Sequence, residues 1–248
     1  TGVLMSDRGD NLFQTAFTGI GEFRFDEKVA QVFPDMIRRS VPGYGHVIGS
    51  SGLIAKRYAQ PNTVIYDLGC SLGATTLAIA DQVTTPGCRI VAIDNSKAML
   101  ARAQSGLSDR LVDPLPIEWV HGDISTIAFE PCSVAALNFT LQFIEQDKRE
   151  QLLSDIHRAL CPGGALILAE KVVQEDLKSQ DTLNALHLDF KRANGYSELE
   201  ISSKRQAIEN VLIPETANTH INRLTRVGFT EITEFFHCLN FNAWVAIA

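Results

Sequence analysis

The ten residues from Val64 to Gly73, VIYDLGCSLG, constrain the fold of this chain more than any other stretch. An apolar strand runs into a glycine-bearing loop with an acid just ahead of the turn, and Ala74 to Ala80 then read as the opening of a helix. Strand, tight turn and helix N-terminus together make a cradle for a nucleoside-bearing ligand, because only glycine lets the backbone come that close. A dinucleotide loop would read G-x-G-x-x-G, so that helix-terminal amides face a pyrophosphate. Here the pattern is D-x-G-x-x-x-G, with Ser71 where a middle glycine would stand, and Asp67 ahead of the glycines suits a ligand that carries positive charge.

Strands and helices alternate beyond the loop. Arg89 to Asp94 reads as a buried-type strand, Lys97 to Gly106 as a helix, Ile117 to Val120 as a short strand, and Ser133 to Phe139 as another. Gln146 to Leu160 is helical in pattern, Cys161-Pro162-Gly163-Gly164 is a helix stop, and Ala165 to Glu170 is the next strand. This rhythm predicts an α/β fold, a doubly wound and mostly parallel sheet of seven strands with right-handed crossovers. Two helices precede it, Phe25 to Ser40 and Tyr44 to Tyr58, separated by Val41-Pro42-Gly43, and are expected to pack over the cradle. The tail breaks the rhythm. Residues 174–212 read as a helical insertion interrupted at Ala193-Asn194-Gly195-Tyr196; a helix at Thr219 to Val227 and strands at Glu231 to Phe236 and Phe241 to Ala248 follow, one of them antiparallel. No repeat or low-complexity linker divides the chain. The expected layout is a loose leader over 1–24, with Met5 a candidate start, and a single domain over 25–248.

A formal charge of −7 over 248 residues argues against a broad phosphate-binding surface, so no direct nucleic-acid contact is expected. The five cysteines are scattered, without a C-x-x-C pair or a histidine at zinc-ligand spacing, which points to no metal and to a reducing cytoplasm. Nothing resembles a signal peptide, no apolar run is long enough to span a bilayer, and no membrane association is expected.

Several side chains fall where a ligand would lie. Asp94 ends the second strand roughly 20 residues past the glycine loop, where an acid reaches a ribose diol, or else is a solvated strand-end acid. Asp123, followed by Ile124, is placed to accept from an adenine amino group with the isoleucine on the ring, or simply makes a Gly-Asp turn. Asn138 ends the fourth strand on the same edge. Tyr44 follows a Pro-Gly turn, a position more often core than ligand contact. Cys70 has no nearby histidine in sequence and reads as a packed thiol rather than a nucleophile. Ser197-Glu198-Leu199-Glu200 fits a capping box, and along that helix Ile201, Ile208 and Leu212 form an apolar stripe into which Arg205 falls at i+4 and i−3. A guanidinium on such a stripe meets an anion or snorkels to water, and snorkelling is the commoner outcome.

Asp67-x-Gly69-x-x-x-Gly73, Asp94, Asp123 and the Cys-Pro-Gly-Gly turn together resemble the class I S-adenosylmethionine-dependent methyltransferase fold. Closer segments resemble the carboxy-S-adenosylmethionine synthase family: VFPDMI from Val32, SVPGY from Ser40, YDLGCSLG from Tyr66, LNFTLQF from Leu137 and DFKRANGYSELE from Asp189. The resemblance runs from about Phe25 to the C-terminus and is weaker around Val172-Val173-Gln174. It implies that S-adenosylmethionine, or its carboxylated form, is held by Tyr44, Gly69, Cys70, Ser71, Asp94, Asn95, Asp123, Ile124, Asn138 and Arg205. Arg205 would grip the added carboxylate as the catalytic residue, and the molecule would be a homodimer. The implied reaction takes prephenate as second substrate and gives carboxy-S-adenosylmethionine, phenylpyruvate and water. A partner tRNA carboxymethyltransferase would then use the product to modify a wobble uridine.

The implied chemistry is physically coherent. A methyl proton beside a sulfonium is only weakly acidic, so its removal needs a strong base close by. Prephenate supplies one as its ring aromatises, releasing CO2 and a hydroxide-like base, and the protein's part is to orient the reactants and exclude water. Two other readings of the same residues are an ordinary methyltransferase acting on a small molecule or tRNA, and a non-catalytic nucleoside-binding subunit of a tRNA-modifying partner.

Overall fold

The computed structural model describes residues 26–107, 115–202 and 211–248; Arg205 and the 1–24 leader lie outside the described residues. Four helices and three strands alternate in the first half: α1 (Glu27–Ser40), α2 (Tyr44–Tyr58), β1 (Val64–Leu68), α3 (Ala74–Gln82), β2 (Arg89–Asp94), α4 (Lys97–Leu107) and β3 (Ile117–His121). The second half holds β4 (Cys132–Asn138), a 3-10 turn at Leu141–Phe143, α5 (Gln146–Ala159), β5 (Leu160–Val173) and α6 (Leu177–Ala193). It closes with β6 (Glu215–Thr216), α7 (Ala217–Val227), β7 (Glu231–Cys238) and β8 (Phe241–Ile247). Residues 198–202 are helical, as the capping box at Ser197 requires, with the Glu200 carboxylate accepting from Ser197 N at 2.7 Å.

The strands form one sheet in the order β3-β2-β1-β4-β5-β8-β7, with the two-residue β6 pairing β5 off that path. All neighbours run parallel except β8, which is antiparallel to both β5 and β7. The doubly wound, mostly parallel sheet expected from the alternation is thus present. β1 is buried at every position and its side chains alternate between two apolar layers. Tyr66 and Leu68 join Leu152, Leu153 and Ile156 of α5 on one face, while Ile65 meets Ala55 of α2 and Ile79 of α3 on the other. α2 crosses α3 at Gly52, where a Cβ would lie only 2.3 Å from the Ala78 carbonyl oxygen.

β5 begins five residues earlier than its sequence suggests, at Leu160 instead of Ala165. Cys161 to Gly164 do end the helix, but they are absorbed into the sheet as an irregularity: Leu160 pairs with Cys132, and the register shifts before Ala165 pairs with Val134. Gly163 supplies the left-handed residue at φ 75° and its amide donates to the Ala248 carbonyl at 3.0 Å.

Candidate active site

The chain passes from β1 outward through β2 and β3, then returns to lay β4 on the other side of β1. Reversals of this kind open a crevice at the carboxyl ends of the strands. Here that crevice is a cavity of about 1110 Å³.

The loop after β1 forms one wall. Gly69 N and Cys70 N both donate to the Ile93 carbonyl of β2, at 2.8 and 2.9 Å. Gly69 takes φ 78°, and a Cβ there would lie 2.4 Å from the Thr140 side chain, so only glycine lets the loop close onto the turn after β4. Ser71 sits in the same left-handed region at φ 51°, held by its amide hydrogen bond to Asp94 Oδ2 at 2.8 Å. The Cys70 thiol is pushed far up by burial, and then by Asp67 and Asp94, so it is a neutral packing group.

Asp94 lines the cavity at the end of β2. Oδ1 accepts from Ser96 N at 2.8 Å and Oδ2 from Ser71 N, which leaves each oxygen a second lone pair. Burial raises its carboxyl, and the two amides pull it back. Asn95 follows on the wall, its carbonyl accepting from His121 Nε2 at 3.1 Å. After β3, Asp123 Oδ1 accepts from the Ser125 amide at 2.9 Å in a tight turn, and Ile124 is buried beside it. Asn138 ends β4 with Nδ2 donating to Ser51 Oγ and Thr75 Oγ1, each at 3.0 Å. Its Oδ1 is buried with no partner among the described residues, and the residue lines the cavity. Tyr44 opens α2, its ring 6.0 Å from that of Phe139, and burial followed by the Asp67 charge drives its phenol well above the ordinary range. Nine of the ten residues expected to hold the ligand therefore line one cavity, and the tenth, Arg205, is outside the described residues.

Asp67 is a correction to the sequence reading. It is buried and absent from the cavity wall, and Oδ2 accepts from Thr76 Oγ1 at 2.6 Å, so it braces the first turns of α3 rather than meeting a cation. Burial raises its carboxyl to about 7 against the Thr76 hydrogen bonds. On β5 burial likewise raises Glu170 to about 8, against hydrogen bonds from the Leu141 and Gln142 amides at 2.9 and 3.0 Å. Both folded values exceed the unfolded carboxylate range of roughly 4, so the folded chain binds more protons than the unfolded one between those limits. The contribution of these two groups to stability is expected to be fully present below about pH 4 and to be lost as pH rises through 7 to 8. Scanning calorimetry from about pH 5 to pH 9 should show a falling midpoint, with a shallower fall in Asp67→Asn.

Behind the wall lies a buried ionic cluster. Arg149 of α5 is fully buried; Nη1 donates to Glu215 Oε2 at 2.6 Å, Nε to the Ile144 carbonyl at 2.9 Å, and Nη2 to the Ile213 and Gln142 carbonyls at 2.9 and 3.2 Å. Arg223 of α7 grips the same carboxylate with two nitrogens, at 2.6 and 2.8 Å. Gln142, Ile144 and Pro214, which line the cavity, are thereby fixed to one another from behind. Sequence reading missed this cluster, and also Lys171, His187, Lys191 and Phe241 on the far side of the cavity. Lys191 lies in the DFKRANGYSELE segment, but nothing there gave it a role; the four converge only once β5, α6 and β8 are assembled.

A family model described as a methyltransferase domain matches residues 65–164. A carboxy-S-adenosyl-L-methionine synthase of Shewanella halifaxensis is 52% identical over 98% of this chain and 100% of that protein. This chain belongs to the carboxy-S-adenosyl-L-methionine synthase family. Among solved structures, a putative S-adenosyl-L-methionine-dependent methyltransferase of Methanococcus maripaludis shares the fold at TM-score 0.57 and 22% identity, covering 93% of this chain and 96% of that one. Magnesium protoporphyrin IX methyltransferase of Synechocystis, solved with bound SAH, shares it at TM-score 0.59 and 14% identity, over 92% and 90% of the two chains. As a member of the synthase family the chain is an enzyme, built on the methyltransferase fold. Among the described residues no group of His, Cys, Asp and Glu could hold a metal ion, and no helix is long and apolar enough to cross a membrane.

Proposed function

We propose that this enzyme converts S-adenosyl-L-methionine and prephenate to carboxy-S-adenosyl-L-methionine, phenylpyruvate and water. The convergence of nine expected ligand residues on one cavity carries the reading, together with the family. The residues fit the nucleoside ligand. The Gly69 cradle has no room for a side chain, Asp94 keeps lone pairs for a diol, and the unpartnered Asn138 Oδ1 awaits a donor. Tyr44, Gly69, Cys70, Ser71, Asp94, Asn95, Asp123, Ile124 and Asn138 hold it, with Arg205 on the added carboxylate. At about 1110 Å³ the cavity stands at the upper end of the roughly 300–1,000 Å³ of ligand sites.

When both reactants are bound, prephenate supplies the CO2 and the base. The protein's own residues bind, orient and exclude water. Tyr44 and Phe139 form an apolar flank, and the turn after β4 is pinned from behind by Glu170 and Arg149, which fixes one reactant relative to the other. The product then serves a tRNA carboxymethyltransferase that modifies a wobble uridine. We place the enzyme in the cytoplasm as a single-domain homodimer.

The test is incubation with S-adenosyl-L-methionine and prephenate, followed by mass spectrometry of the nucleoside. A carboxylated sulfonium is expected. Demethylated nucleoside, formed with an added acceptor, would instead mark an ordinary methyltransferase, and binding without turnover a scaffold subunit.

A further inference from the structure

We infer that Lys171 and Lys191 form the seat for the second reactant, and that they grip the carboxylate that this reactant keeps rather than the one it loses. The inference rests on the reading of the enzyme as one that consumes a ring-bearing dicarboxylic acid.

Charge is segregated across the cavity. Among the described residues its carboxylates are Asp26 and Glu27 at the start of α1, Asp94 at the end of β2 and Asp123 after β3. On the β5 side, the charged groups among the described residues are two ammoniums, Lys171 and Lys191, with His187 alongside. In a chain of net charge −7, two lysines turned into one interior cavity mark the end where an anion goes.

Their placement follows from the elements. Side chains alternate along β5. Ala169 packs with Phe139 and Phe241, Glu170 turns to the opposite side to bind the Leu141 and Gln142 amides, and Lys171 returns to the Ala169 face. Lys171 pairs in register with Phe241 of β8, and its amide is fixed by Gln142 Oε1 at 3.1 Å. The His187 ring stands edge-on to Phe241 at 5.2 Å, and its Nε2 donates to the Ser40 carbonyl at 2.8 Å. Lys191 lies one turn further along the same face of α6. Lys171, Phe241, His187 and Lys191 are therefore contiguous, with Phe139 and Phe143 completing an apolar wall. Aromatic faces beside two ammoniums suit an unsaturated ring that bears carboxylate.

Which carboxylate they hold follows from the reaction. A carboxyl that departs as CO2 must shed its charge, so an ion pair to it would stabilise the ground state and slow the step. The retained carboxylate undergoes no change, and binding it is uniform between ground and transition states. Its loss should raise KM and leave kcat alone.

The experiment uses Lys171→Met and Lys191→Met, with Lys171→Gln and Lys191→Gln as variants that keep a polar end should the first pair misfold. Calorimetry gives the S-adenosyl-L-methionine Kd, steady-state assays give KM and kcat for prephenate, and phenylpyruvate, which bears only the retained carboxylate, serves as a stable competitive probe. Each substitution is expected to raise the prephenate KM and the phenylpyruvate inhibition constant together, by roughly ten- to a hundredfold, as for loss of a charge-assisted contact. The S-adenosyl-L-methionine Kd and kcat should stay within about threefold. Unchanged phenylpyruvate inhibition overturns the assignment, as does a weakened S-adenosyl-L-methionine Kd with unchanged prephenate KM, which would give the lysines to the methionine carboxylate. If wild-type protein makes no carboxylated product, the function reading fails, but calorimetric binding of prephenate and its dependence on the two lysines still decides the seat; no binding overturns it.

Discussion

Glu215→Gln is expected to destabilise the fold by about 3–5 kcal/mol, because it removes the carboxylate charge shared by two buried arginines while keeping the shape of the side chain. Arg149 is fully buried and Arg223 nearly so, and together they make three hydrogen bonds of 2.6 to 2.8 Å to the carboxylate. A neutral amide takes away the carboxylate that pairs directly with both guanidiniums and presents an N–H to one of them. Burial alone raises the Glu215 carboxyl, but Arg223 and Arg149 outweigh it and hold it down to about 2. The folded value lies below the unfolded one, so the stabilisation is present above roughly pH 4.5 and is lost only as pH falls toward the folded value. Denaturant unfolding at neutral pH measures the loss directly. A change under about 1 kcal/mol would mean that water reaches the cluster and carries the charge instead. Activity should fall too in the surviving folded fraction, since Arg149 holds the Gln142, Ile144 and Ile213 carbonyls behind the cavity wall.

Arg205→Ala is expected to weaken binding of carboxy-S-adenosyl-L-methionine by about 2–4 kcal/mol, roughly 30- to 900-fold, if the guanidinium pairs with a desolvated carboxylate. S-adenosyl-L-methionine lacks that group, so its affinity should change little and the preference between the two should collapse. Turnover should fall with it, because a product carboxylate without its partner is left uncompensated in a water-poor site. Paired calorimetric titrations of the two ligands check this. Full turnover with undiminished preference would remove Arg205 from the chemistry.

That Gly69, Asp94, Asp123 and Asn138 would share one cavity was legible because the signal is local. Gly69, Asp94, Asp123 and Asn138 each sit at the end of a strand, and strand ends can be found from apolar runs and turn residues alone. Parallel pairing then brings those ends to one edge without further information. The β5 turn was misplaced because Pro and Gly signal a break whether the chain leaves the sheet or only bulges within it. Asp67 looked like a ligand group because its position beside the glycines is visible in sequence, whereas the side to which it points depends on Thr76 and α3. Lys171 lies in no segment singled out in the sequence and Lys191 in one that gave it no role; they come to one cavity only through the placement of α6 over the β5–β8 pair.

Gly52 has a consequence for how reactants come and go. At that crossing α2 and α3 touch backbone to backbone, so neither can slide along the other without collision. The tyrosine at the head of α2 and the glycine hairpin feeding α3 must travel as one slab. The opposite flank is fastened differently, by single links such as Arg39 Nε to the Asn194 carbonyl at 2.8 Å and the His187 to Ser40 bond. Side-chain links of that kind can part and re-form where a backbone contact cannot, so any give between elements is expected at α1 against α6 and not at α2 against α3.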